Sequence, residues 1–83
     1  MYKKINNNVR MTMHEASELY PDHHILMQME EAYMLNPTGF VLYIGDDGDE
    51  LFSLQINLPV TRGIVFEGIN IQRRYSLGGI VVG

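Results

Sequence analysis

Two hydrophobic periods compete over residues 49–58. Phe52, Leu54, Ile56 and Leu58 alternate with Ser53, Gln55 and Asn57, which is the two-residue period of a strand, and Asp47-Gly48 just upstream is a hairpin dipeptide. The same residues also spell a helix. Asp46 or Asp47 can cap it, Asp49 and Glu50 complement the positive end of its dipole, and Leu51, Leu54 and Leu58 share one helical face with Phe52 and Ile56 beside it. Period alone slightly favours the strand. Elsewhere the pattern is plainer. Thr12 and Glu15 match a capping box, Met13, Ala16, Leu19 and Tyr20 fall on one helical face, and Pro21 ends that short helix. His24 to Met29 reads as a buried or half-buried strand, Asn36-Pro37-Thr38-Gly39 as a turn, and Phe40 to Ile44 as a strand pairing antiparallel with the first. Gly63 to Glu67 reads as a further buried strand that Gly68 stops.

The ends have no sustained period. Met1 to Arg10 is polar, contains Asn6-Asn7-Asn8, and reads as a loose leader to a single domain spanning residues 1–83. Ile69 to Gly83 alternates weakly and holds Ile69, Ile71, Leu77, Ile80, Val81 and Val82, too many apolar residues for a free tail. It is expected to dock on the domain or on a second copy.

The segments ELYPDHHILM, VLYIGDDGDELF and GIVFEG, taken together, resemble small bacterial domains of unknown function. In those domains a short helix ending in a Tyr-Pro-Asp turn leads to a strand, a loop, a second strand, a helix begun by Gly-Asp and a third strand. The likeness spans Thr12 to Gly68, departs from the group at His23-His24 and in the Arg-Arg-Tyr and Gly-Gly tail, and implies a helix over Asp49 to Leu58 without implying an activity. With that helix the expected fold is α+β: a small mixed sheet of three or four strands with two short helices on one face, and a right-handed crossover over Phe40 to Glu67. A mostly β meander or small open barrel with one helix is the competing fold.

Composition narrows the function classes. With no cysteine there is no disulfide framework, thiolate nucleophile or Cys-based zinc site. Six basic residues against ten acidic ones, with only Arg73 and Arg74 and the pair Lys3-Lys4 adjacent, lack the concentrated positive surface that nucleic-acid binding needs. Arg73, Arg74 and Tyr75 therefore rank last as a site. The longest uninterrupted apolar run, Phe40 to Ile44, falls far short of the ~20 residues that span a bilayer. The chain is expected to be cytoplasmic and not membrane-bound.

Candidate chemistry is sparse. His14, His23 and His24 are the only imidazoles, and adjacent histidines on a strand point to opposite sides, so His23 and His24 do not readily converge with His14 on a metal. Asp46, Asp47, Asp49 and Glu50 are the densest carboxylates, too compact for a calcium loop and in place for turn formation and helix capping. Gly45 and Gly48 have no following Lys to make a phosphate loop, and Ser76 near Gly78-Gly79 lacks a nucleophile elbow. Met27, Met29 and Met34 read as core filling, and Tyr33-Met34-Leu35 as an apolar set near the surface. No catalytic residue, cofactor or metal is assigned. The expected function is a non-catalytic interaction or regulatory module, self-associating or binding a protein partner through a sheet edge or the C-terminal segment. The alternative is a small hydrolase or metal-dependent enzyme using His14, His23 or His24 with Asp22 or the Asp46 to Glu50 group.

Overall fold

A computed structural model describes residues 1–5, 8–30, 37–58 and 62–74. The chain runs through β1 (Tyr2–Lys4), β2 (Met11–Thr12), α1 (Met13–Leu19), β3 (His24–Met29), β4 (Thr38–Gly45), α2 (Gly48–Asn57) and β5 (Gly63–Glu67), followed by a helical segment, α3, over residues 69–74. The α+β class is as expected. The sheet has the order β1-β4-β3-β5, with β2 also on β4, and every pairing is antiparallel rather than mixed.

The physical reason lies in the connections. Strands β4 and β5 both run antiparallel to β3, so they are parallel to each other, and α2 joins them across β3, which lies between. The parallel relation expected for this unit exists without a parallel ladder. In the same way β2, α1 and β3 make a crossover spanning β4. Both crossovers step the same way along the sheet, but they start from antiparallel strands, so two crossovers of one hand place their helices on opposite faces.

Burial agrees. Ile25, Met27 and Met29 of β3 cluster with Val41, Ile44, Met11 and the fully buried Ala16 of α1, with Met13, Tyr20, Ile64 and Phe66 packed against them. Leu26, which points to the other side of β3, is fully buried outside that cluster, as is Leu51 of α2. The helices therefore cover one face each, not a common face.

Local chemistry explains most elements. Thr12 Oγ1 accepts from the Glu15 amide at 3.1 Å while Glu15 Oε1 accepts from the Thr12 amide at 2.9 Å, closing the capping box. Of the expected α1 face, Leu19 is 53% exposed, and its place toward the sheet goes to Ser17, whose hydroxyl donates to the His14 carbonyl at 2.7 Å. At α2 the helix prevails over the alternating pattern because Asp47 Oδ1 accepts from the Asp49 amide at 2.9 Å and Leu51 is fully buried, leaving Phe52 and Ile56 outside.

Two expectations about segment boundaries give way. Residues 2–4, read as leader, are the strand β1, because the edge of β4 offers a ladder that three residues without a period of their own can join; Ile5 adds a bond to the Leu42 carbonyl at 2.9 Å. Thr38 and Gly39, read as turn, begin β4. Gly39 is glycine because a Cβ there would collide with the Gln28 carbonyl. Among residues 69–83, the described part is helical, not alternating, and residues 75–83 lie outside the described residues, as does the apolar set at 33–35. Among the described residues no helix is long and apolar enough to cross a membrane.

Candidate functional site

The β4–α2 turn brings together most of the polar residues singled out in the sequence. His24, Asp46, Asp47 and Asp49 line one open cleft of about 520 Å³ with Gly48, Phe52, Val65, Phe66 and Glu67. Strand β3 supplies His24, opposite Glu67 of β5 in the ladder, and the start of α2 lies over them. A Cβ on Gly48 would lie 3.0 Å from His24 Nδ1, so any other residue there would have to push the imidazole aside by a few tenths of an ångström.

The other histidines are elsewhere. His14 is exposed on α1 with Nε2 2.8 Å from Glu18. His23, one residue before β3, lines a different hollow, with Tyr2, Lys3, Ile44 and Asp46, and its Nδ1 is buried and without a hydrogen-bond partner among the described residues. Asp22 is held by Arg74 at 3.3 Å and Asn70 at 3.1 Å, on the far side of the β5–α3 turn. Glu50 Oε1 lies 3.2 Å from the Met1 amino nitrogen.

Of the cleft carboxylates, Asp47 is committed to the α2 cap. His24 makes no side-chain hydrogen bond to a carboxylate among the described residues, and no three His, Asp or Glu side chains there are placed to hold a metal ion. The arrangement has the sign of a cation-attracting rim, with Asp46, Asp47, Asp49 and Glu67 around its mouth and, among the described residues, no Lys or Arg in a lining whose one imidazole is His24.

The cleft opens at one end of a second feature, the outer edge of β5. The Met29 amide donates to the Arg62 carbonyl at 3.0 Å and the Gly68 amide to the His23 carbonyl at 2.8 Å, so residues 62, 64, 66 and 68 turn their backbone groups toward β3. Residues 63, 65 and 67 turn theirs outward. Gln55 Nε2 donates to the Gly63 carbonyl at 2.5 Å and Gln72 Nε2 to the Glu67 carbonyl at 2.6 Å. Two outward acceptors are thus occupied. Among the described residues nothing meets the outward N–H groups of Gly63, Val65 and Glu67 or the Val65 carbonyl.

Helix α2 flanks this edge. Gln55 reaches Gly63, Phe52 lies beside Val65, and Ile56 follows Phe52 by one turn on the same side. Phe52 is 56% and Ile56 69% exposed, an apolar border along an edge that is bare among the described residues. Sequence reading found the strand and the carboxylates but took β5 as buried; each of its residues is only partly buried, as befits an edge. It also missed Glu67, Gln55 and Gln72, since nothing in a lone Gln tells which carbonyl it reaches.

Compared with protein-family models, curated proteins and solved structures, the chain matches none.

Proposed function

We propose that the protein is a non-catalytic interaction module that takes an extended segment of a partner chain onto the outer edge of β5. The observation that carries this reading is the row of backbone groups centred on Val65 that meet no partner among the described residues, bordered by exposed Phe52 and Ile56. Strand addition supplies just the missing partners, each hydrogen bond contributing roughly 0.5–1.5 kcal/mol, while apolar side chains of the incoming strand cover the α2 border. The fixed ends matter too. Gln55 and Gln72 mask the carbonyls of Gly63 and Glu67, which confines pairing to a short stretch and limits open-ended sheet growth. With this reading go two expectations, a bacterial domain from the resemblance in element order and a cytoplasmic one from the lack of a long apolar run.

Selection from a displayed library of random peptides tests it. The wild type should enrich sequences of alternating apolar residues, and Val65→Pro should not, because proline removes an outward N–H without touching a bond to β3. The exposed double substitution F52S/I56S, which disturbs no buried contact, should weaken the same selection. Enrichment that is absent, or equal on all three proteins, overturns the proposal, and so does edge-dependent self-association in sedimentation with no peptide bound.

A further inference from the structure

The β5 edge and the acidic cleft are continuous, and the cleft has a sign. It lies at the Glu67 end of the strand, shares Val65 with the edge and Phe52 with the apolar border, and is lined by four carboxylates, of Asp46, Asp47, Asp49 and Glu67. The ion pairs among the described residues involve Glu18, Asp22, Glu30 and Glu50; none reaches those four. Arg10 and Arg62 are both turned to Glu30, and Arg74 to Asp22.

We infer that the segment docking on β5 is cationic at one end: an extended, β-prone peptide whose Lys or Arg side chain enters the cleft between the start of α2 and Glu67. This deepens the proposed function and rests on it. The geometry gives the register. A strand laid along residues 63–67 presents alternate side chains to the α2 side, where Phe52 and Ile56 meet apolar ones. The side chain that comes level with Glu67 meets the carboxylates. A long basic side chain suits the site twice over, because its methylene stem packs along Phe52 and Val65 while its charge stays in the open mouth. An acidic residue at that position meets four like charges. The cleft therefore selects orientation as well as partner, since reversing the peptide moves the positive charge to the Gly63 end, where no cleft carboxylate waits.

The test uses the full chain and synthetic peptides made from the sequences that the display library enriches. The enriched set should carry Lys or Arg at a fixed offset from the alternating apolar residues. Replacing that residue by Glu should weaken binding by at least about tenfold in a fluorescence titration. The triple variant D46N/D49N/E67Q, which spares the Asp47 cap and leaves one of the four carboxylates, should lose most of the preference for Lys or Arg while still enriching alternating apolar sequences, and the salt dependence of binding should fall with it. Edge-dependent enrichment without a basic position, or a preference unchanged in the triple variant, overturns this inference and leaves the edge reading standing; loss of all edge dependence overturns both. If the wild type enriches nothing and a chain ending at Arg74 does, the edge is occupied by residues 75–83 of the chain itself, and a partner peptide is excluded as its resting occupant.

Discussion

Leu51 and Phe52 are neighbours in sequence with opposite fates, and substituting each by Ala separates the two periods read into residues 49–58. In the helix Leu51 is fully buried against the sheet, whereas Phe52 is 56% and Ile56 69% exposed. Truncating a fully buried Leu removes its transfer free energy and leaves a cavity, which costs about 2–5 kcal/mol. A domain of this size holds on the order of 4–12 kcal/mol in total, so Leu51→Ala should consume a large part of it and lower the urea midpoint by more than about 1 M. Phe52→Ala should cost less than about 1 kcal/mol, for its partial contact with Val65, and Ile56→Ala less than about 0.5 kcal/mol. Urea titration followed by far-ultraviolet circular dichroism is the assay. In the alternating strand the ranking reverses, with Phe52 and Ile56 facing inward. A result in which either costs as much as Leu51 would refute the helix and, with it, the face that α2 covers.

Other expectations follow from the same packing. Asp47→Ala should cost about 1 kcal/mol through loss of the cap to Asp49, whereas Asp46→Ala should cost under about 0.5 kcal/mol. Neither calcium nor magnesium should raise the melting temperature, and a metal-dependent rise abolished by these substitutions contradicts the capping role. Gly68→Ala should destabilise by more than about 2 kcal/mol, because its Cβ would overlap the carbonyl oxygens of both Tyr20 and Pro21, which cannot swing aside as a side chain can; a fully stable variant would show that the β5–α3 turn yields more than its contacts suggest. Truncation after Asn70 removes Gln72 from the Glu67 carbonyl and Arg74 from Asp22 and should lower the melting temperature, while an unchanged one would make α3 dispensable.

What could be read from the sequence was chemistry that acts over three or four residues. The Thr12–Glu15 box, the Asp47 cap, Pro21 and the apolar run from Ile25 to Met27 each contain their own cause. The face of α2 was ambiguous because Leu54 and Leu58 satisfy both periods, and the tie is broken by the cap and by Leu26, which lies on the far face of β3 and needs a cover. Strand β1 was illegible because its cause is the edge of β4, some forty residues away in the chain. The same holds for the site. His24, Asp46, Asp47 and Asp49 could be picked out by residue type, but their meeting with Glu67 depends on β3 lying between β4 and β5, and His14 and His23 were separated by the same topology.

The most direct test of the central claim, that β5 presents a bare edge, is amide hydrogen exchange of Ile64, Val65 and Phe66 in the free, full-length protein, resolved residue by residue by NMR. Ile64 and Phe66 donate to β3 and should be protected, while Val65 points outward and should exchange at least about tenfold faster than both. A Val65 amide as slow as its two neighbours would mean that the edge is already covered, and the docking surface would not exist.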